Sequence, residues 1–234
     1  ALIGCLVWLF MKASGDREQE QMEKITLAEV KEVLRLPSVW LLMVIVLCAY
    51  VAYKITDVIS LYAEQVMLYD QVEAAKTGTL LQFLRPTTGI LMGLVADRFK
   101  ITWLLFLAFV ATLLGGILFG LGIIAPNTTV LFFMSVSVVA IGVYSCRALY
   151  FGAMQVGKIP LVLTGTAVGL ISLIGYTPDI FAGPAYGYLL DTFPGETGHR
   201  YVFWMLSGFA LVGGIASYVY YVKYGRGVGK DMAS

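Results

Sequence analysis

The chain has 234 residues, of which 59% are hydrophobic and only 13% charged, and 16 Lys and Arg against 15 Asp and Glu give a net charge of +1. A water-soluble domain carries roughly 25% charged residues because polar groups must cover its surface, so this composition excludes a soluble fold and makes lipid the solvent for most of the chain. The near-zero charge gives no basis for nucleic-acid binding, and Cys5, Cys48 and Cys146, each alone in an apolar run without a neighbour at metal-ligand spacing, are expected to be small packing residues.

Residues 1–11 open with the apolar run ALIGCLVWLF. It is too short to cross a bilayer, which takes roughly 20 helical residues, and it lacks the basic start and the cleavage site of a signal peptide. It reads as the end of a preceding transmembrane helix, so the chain is expected to be part of a longer protein. Residues 12–37 form a polar inter-domain loop rich in Glu and Lys. Within it, Thr26-Leu-Ala-Glu29 is a capping box that predicts an amphipathic helix over 26–36, with Leu27, Val30 and Leu34 on one face and Pro37 as its stop. Such a helix is expected to lie on the membrane surface.

Six apolar segments follow, at Ser38–Ala63, Thr77–Ala96, Ile101–Ile124, Thr129–Gln155, Leu161–Leu190 and Tyr201–Tyr221. Each is long enough to span, and their continuous apolar character excludes the alternation of barrel strands. The predicted fold is an all-α membrane protein. It consists of a six-transmembrane-helix bundle over 38–222, preceded by the short amphipathic helix and followed by a tail at 223–234. Lys12, Arg17, Lys24, Lys31, Arg35, Arg98, Lys100, Lys158, Lys223, Arg226 and Lys230 fall on one side of this threading, against Lys76 and Arg200 on the other. The 12–37 loop and the C-terminal tail are therefore expected to face the cytoplasm, in a bacterial inner membrane. The pairs Gly89/Gly93, Gly116/Gly120, Gly165/Gly169 and Gly183/Gly187 have the spacing that lets helix backbones approach closely.

Ionisable side chains inside spans cost about 2.5 kcal/mol or more each in hydrocarbon, so each needs a physical reason. They are Lys54 and Asp57 in the first span, Arg85 in the second, Arg147 in the fourth and Asp179 in the fifth; the third and sixth have none. Counting helical rise, Lys54, Asp57, Arg85 and Asp179 share a layer in the outer half, while Arg147 lies deeper without an acidic partner at its depth. Two readings are open for the quartet: a structural network of two acids and two bases, or the lining of a water-filled cavity. Arg147 is a candidate anion ligand because a guanidinium offers a planar fork of donors. Tyr50 and Asp57 share the face of Lys54, and Tyr144, Tyr150 and Phe151 flank Arg147. Arg85 precedes Pro86 and Asp179 follows Pro178, and a proline within a span frees a backbone carbonyl and kinks the helix.

Gly93-Leu-Val-Ala-Asp97-Arg98, between the second and third spans, is similar to the G-x-x-x-D-R gating loop of the major facilitator superfamily, although Phe99-Lys100-Ile101 stands where that family has Gly-Arg-Arg/Lys. The chain resembles the C-terminal six-helix half of that twelve-span fold, whose first, second, fourth and fifth helices line the cavity; those are the spans that carry the five charges. The stretches Arg147-Ala-Leu-Tyr150 and Gly175-Tyr-Thr-Pro-Asp179 look like bacterial members grouped with nitrate/nitrite-type or organic-anion porters. The resemblance implies a secondary transporter working by alternating access, proton-coupled, with an N-terminal six-helix half as partner. Arg147, Lys54, Arg85, Tyr50 and Tyr150 would bind a small anionic solute, Asp57 and Asp179 would couple protons, and Gly93, Asp97 and Arg98 would gate. A non-transporting receptor or assembly subunit and a cation or drug efflux carrier are the alternatives. No H-E-x-x-H, G-x-S-x-G or G-x-x-x-x-G-K-S/T motif is present, and the single histidine, His199, is expected to be solvated in an outer loop. An enzyme, a metal site, catalytic residues and a cofactor are therefore not expected.

Overall fold

The structure is a computed structural model that describes residues 26–226, and all regular structure among them is helical. The expectations for residues 1–11, for the loop before Thr26, for Cys5 and for the tail beyond Arg226 lie outside the described residues.

Helix α1 spans Leu27–Leu34. Thr26 caps it as the capping box requires: its hydroxyl accepts from the Glu29 amide at 3.3 Å and donates to the Glu29 carboxylate at 3.0 Å. Of the expected face, Val30 and Leu34 are half-buried, Leu34 packing against the core, whereas Leu27 is 81% exposed; Val33 beside them is fully buried. The Trp40 indole donates to the Leu34 carbonyl at 2.8 Å, closing the end of α1 onto the start of the first span.

Six helical segments are long and apolar enough to cross a membrane: Pro37–Gln65, Gln71–Ala96, Ile101–Gly120, Thr129–Leu149, Leu161–Thr192 and Glu196–Gly225. The first comprises α2 (Pro37–Ile55) and α3 (Ile59–Gln65), joined by a tighter turn at Thr56–Val58. The second, third and fourth are α4 (Gln71–Ala96), α5 (Ile101–Gly120) and α6 (Thr129–Leu149). The fifth divides into α7 (Thr164–Gly175) and α8 (Pro178–Thr192), and the sixth is α9 (Glu196–Tyr220) with a wider terminal turn to Gly225. The ends differ from the sequence boundaries at several spans: Asp70 caps α4 through the Glu73 amide at 2.8 Å, so the second span starts before Thr77, while the third and fourth spans end at Gly120 and Leu149.

Span 3 packs between spans 6 and 4, span 1 lies against spans 6 and 5, and span 2 rests on span 4 and the end of span 1. Where backbones meet closely, small residues mark the contact. A Cβ on Gly142 of α6 would stand 2.7 Å from the Thr112 backbone nitrogen and 2.8 Å from the Ala108 carbonyl of α5, and one on Gly120 would stand 3.1 Å from the Trp204 ring. Of the glycine pairs expected to permit such approach, Gly116/Gly120 does so against α9. Gly89, Gly93, Gly165, Gly169 and Gly187 have no atom of the described residues within 4 Å of a Cβ position, and Gly183 meets only the Tyr186 hydroxyl, at 3.8 Å. These glycines lie on spans 2 and 5, whose spanning windows are the least buried, at 11% and 33%.

The core forms two apolar clusters stacked along the bundle. One holds Leu42, Phe109, Leu149 and Tyr220 at the α1 end, and the other holds Ile59, Tyr62, Phe119, Phe132 and Phe203 at the opposite end. Cys48 and Cys146 are buried free thiols in the first cluster, as packing residues. On span 1 the clusters divide between Ala49 and Val51, and on span 4 between Tyr144 and Cys146, so Tyr50 and Arg147 sit at the level where the two cores meet.

His199 departs from expectation. It is fully buried in the first turn of α9, its Nε2 lies 3.0 Å from the Gln65 side-chain oxygen, and its ring stands edge-on to Tyr62 at 5.3 Å. The segment before α9 is short and turns at Gly195 with φ 76°, which carries the first turn inward against the end of span 1 rather than leaving it in a loop.

Candidate functional site: a cationic, tyrosine-lined layer

Two of the four charged spans are interrupted at the charged layer, and local chemistry explains both breaks. In span 1 the Thr56 hydroxyl donates to the Tyr53 carbonyl at 2.7 Å, satisfying a backbone acceptor where α2 gives way to the tighter turn. In span 5, Pro178 occupies the first position of α8, where its missing N–H is not needed, and the Thr177 hydroxyl takes the Ile174 carbonyl at 2.7 Å. Asp179 therefore falls in the first turn of α8, where the positive end of the helix dipole favours a carboxylate. Helix α4 behaves otherwise and continues through Pro86.

The two breaks meet. Lys54 Nζ lies 3.1 Å from Asp179 Oδ1, and the Tyr50 hydroxyl donates to the same carboxylate, at 2.9 Å to Oδ2. This is the single ion pair among the described residues. Tyr50 also packs edge-on against Tyr176 at 4.8 Å, and the Tyr176 hydroxyl is 3.5 Å from that of Tyr150. Tyr150 itself is 2% exposed, so it supports Tyr176 from behind.

The arginines collect on the other side of Tyr50. The Arg147 guanidinium carbon lies 4.0 Å from the centroid of Tyr53 and 5.4 Å from that of Tyr50. Arg85 reaches the same Tyr53 ring at 4.8 Å and the Tyr144 ring at 5.6 Å. Arg147 is thus not in a separate, deeper layer: both guanidiniums share one aromatic ring, which brings spans 1, 2 and 4 together. Neither has a carboxylate within ion-pair distance among the described residues, and Arg85 Nε is buried with no hydrogen-bond partner. Asp57 is exposed and has no base at that distance among the described residues; it lines, with Arg85, Gln82, Ser60 and Tyr144, a cavity of about 360 Å³ between spans 1, 2 and 4.

The quartet is therefore not one closed network. Lys54 and Asp179 satisfy each other, whereas Arg85, Arg147 and Asp57 remain open. Tyr53 and Tyr176 escaped the sequence reading; Tyr53 stands three residues after Tyr50 and next to Lys54, and Tyr176 precedes Thr177-Pro178-Asp179, and those positions are the only signal for them.

The residues expected to gate lie elsewhere. Asp97 ends α4 as its C-cap, with its amide donating to the Gly93 carbonyl at 3.3 Å, and Asp97 and Arg98 line an open cleft of about 500 Å³ with Gly152, Gln155 and Gly225.

No protein-family model matches the chain, and no solved structure matches it. It is 23% identical over 217 residues to the inner membrane protein YqcE of Escherichia coli (strain K12), across 90% of this chain and 51% of that protein. It is 40% identical over 75 residues to the inner membrane protein YihN of the same organism, across 32% of this chain and 18% of that one. The chain thus spans about half the length of YqcE. With six candidate spans and these relatives, the chain is a multi-pass inner-membrane protein.

The expected membership of the major facilitator superfamily, and of its organic-anion or nitrate/nitrite branch, is overturned. No family model supports it, and the relatives are named only as inner membrane proteins. The physical reason is that a helix end accounts for the short motif: Asp97 is the C-cap of α4, its amide donating to the Gly93 carbonyl, and it has no ion-pair partner among the described residues.

Proposed function

We propose that the chain carries the anion-binding part of a secondary transporter for a small anionic solute, with Arg85 and Arg147 as ligands and Tyr53 as the platform between them. One observation carries the reading. Two guanidiniums reach one ring, at 4.0 and 4.8 Å, without a carboxylate in ion-pair range among the described residues. They are thus within about 9 Å of each other, and at an effective dielectric of about 20 that proximity costs about 2 kcal/mol of repulsion or more, which an anion between them would reverse. Two guanidinium forks on an aromatic platform suit carboxylate, nitrate or phosphate oxygens.

The interruptions at Thr56–Val58 and at Pro178 support transport rather than static binding, since broken helices at mid-membrane commonly build transport sites. In this reading the Lys54–Asp179 pair opens and closes as the site changes its exposure, and Asp179 or the unpaired Asp57 takes up a proton when its charge is not balanced. The exposed faces of spans 2 and 5 receive a second helical unit that completes the site. The α1 end faces the cytoplasm, following the loop distribution of Lys and Arg.

The test is uptake of labelled phosphate, nitrate and citrate into liposomes that hold the full polypeptide, driven by a pH gradient. Wild type should accumulate at least one of them, and Arg147→Ala and Lys54→Ala should abolish uptake at unchanged expression. Normal transport by both variants would remove the site assignment. Anion binding without flux in wild type would favour the receptor alternative.

A further inference from the structure

On the outer surface of the bundle, spans 3 and 6 leave an apolar groove of about 380 Å³, lined among others by Phe106, Leu113, Ala210, Gly214 and Tyr218. Gly214 gives it depth, and Leu211 and Ile215 on its rim are half exposed, so it opens towards lipid. At its α1 end the groove continues into a run of aromatic rings. Phe106 lies 5.4 Å from Tyr218 and 5.2 Å from Trp103, and Trp103 lies 5.2 Å from Tyr221. Bases follow the rings. The Arg226 guanidinium is 5.8 Å from the Tyr221 centroid, Lys100 Nζ donates to the Arg226 carbonyl at 3.2 Å, and Lys223 is exposed on the same terminal turn. No carboxylate of the described residues is within ion-pair distance of these three.

This sequence along the surface, apolar then aromatic then cationic, matches the depth profile of a phospholipid: acyl chain, interfacial ester region, phosphate. We propose that the groove and its basic rim bind one anionic phospholipid, with an acyl chain lying along Gly214 and the phosphate held by Lys100, Lys223 and Arg226. A second copy of the chain is the poorer occupant. Two-fold pairing about an axis normal to the membrane would set the same three bases against themselves, whereas an anionic headgroup neutralises them. The site is separate from the Tyr53 layer and stands independently of the transport reading.

The experiment is a thermal-unfolding titration of the purified, delipidated protein in neutral detergent with phosphatidylglycerol or with phosphatidylcholine. Phosphatidylglycerol should raise the melting temperature at a lipid concentration on the order of tenfold below that of phosphatidylcholine. The triple variant Lys100→Gln, Lys223→Gln, Arg226→Gln should lose that difference while keeping its response to phosphatidylcholine. A second readout needs no stable triple variant: brominated phosphatidylglycerol should quench the Trp103 fluorescence, taken as the difference from Trp103→Phe, more strongly than brominated phosphatidylcholine at equal mole fraction. Equal quenching by the two lipids, or a triple variant that keeps its preference for the anionic one, overturns the proposal.

Discussion

The guanidinium of Arg147 lies 4.0 Å from the centroid of the Tyr53 ring, at the level where the two halves of the apolar core meet. Arg85 approaches the same ring at 4.8 Å from a different span, so a single tyrosine of span 1 holds two cations that have no acidic partner among the described residues. The electron-rich ring face attracts both guanidiniums and offsets part of their mutual repulsion.

Tyr53 is accordingly the residue whose replacement should be most informative. Cation–π contacts contribute about 0.5 to 2 kcal/mol each, so Tyr53→Ala should weaken anion binding roughly tenfold or more, while Tyr53→Phe, which keeps the ring, should stay near wild type. Isothermal titration with phosphate or nitrate reads this directly. Equal affinities for the two variants would show that the ring is not the platform.

The Lys54–Asp179 pair should contribute modestly to stability. Their side chains are 26% and 50% exposed, so solvent screens much of the attraction. A double-mutant cycle of Lys54→Gln and Asp179→Asn in thermal or denaturant unfolding should give a small favourable coupling. Tyr50→Phe, which removes the 2.9 Å hydrogen bond to Asp179, should reduce that coupling. A coupling of zero with Tyr50 intact would mean that the two groups do not pair.

Glycines divide into those the bundle needs and those it does not. Gly142→Ala sets a methyl group 2.7 Å from the Thr112 backbone nitrogen, a contact that only a shift of α5 against α6 relieves, and should cost about 1 to 3 kcal/mol. Gly93→Ala, with no atom of the described residues within 4 Å, should leave the melting temperature unchanged or slightly raised, because alanine favours the helix. The reverse order of stabilities would contradict the packing of spans 3 and 4.

His199 should matter for folding rather than for solute handling. His199→Ala removes the partner of Gln65 and the ring that stands against Tyr62, and loss of one buried hydrogen bond leaves a penalty of about 1 to 3 kcal/mol. Lower thermal stability with unchanged anion affinity is the expected outcome. A large change in affinity at unchanged stability would place His199 in the functional layer instead.

Several of these relationships were legible from sequence and others were not. The capping box at Thr26 and the six spans follow from turn chemistry and hydropathy. These depend on composition and local order along one helix. Resemblance carried by a short loop motif was less reliable than they were, because a helix end can produce the same residues.

Which faces meet was decided only by the tertiary structure. Nearly uniform apolar helices carry almost no periodic signal, so the sequence does not say how each one is rotated about its axis. Rotation selects Tyr53 among the 14 tyrosines of the chain as the ring shared by both arginines. It also turns Val33 inward and Leu27 outward, buries His199, and brings Gly142 against α5 while Gly89 and Gly93 meet no atom of the described residues within 4 Å. The sequence by itself determined that five charges had to find partners or water inside a membrane. Only the packing of separate helices, which sets side-chain directions between spans, decided that Lys54 and Asp179 would satisfy each other and leave Arg85 and Arg147 open around Tyr53.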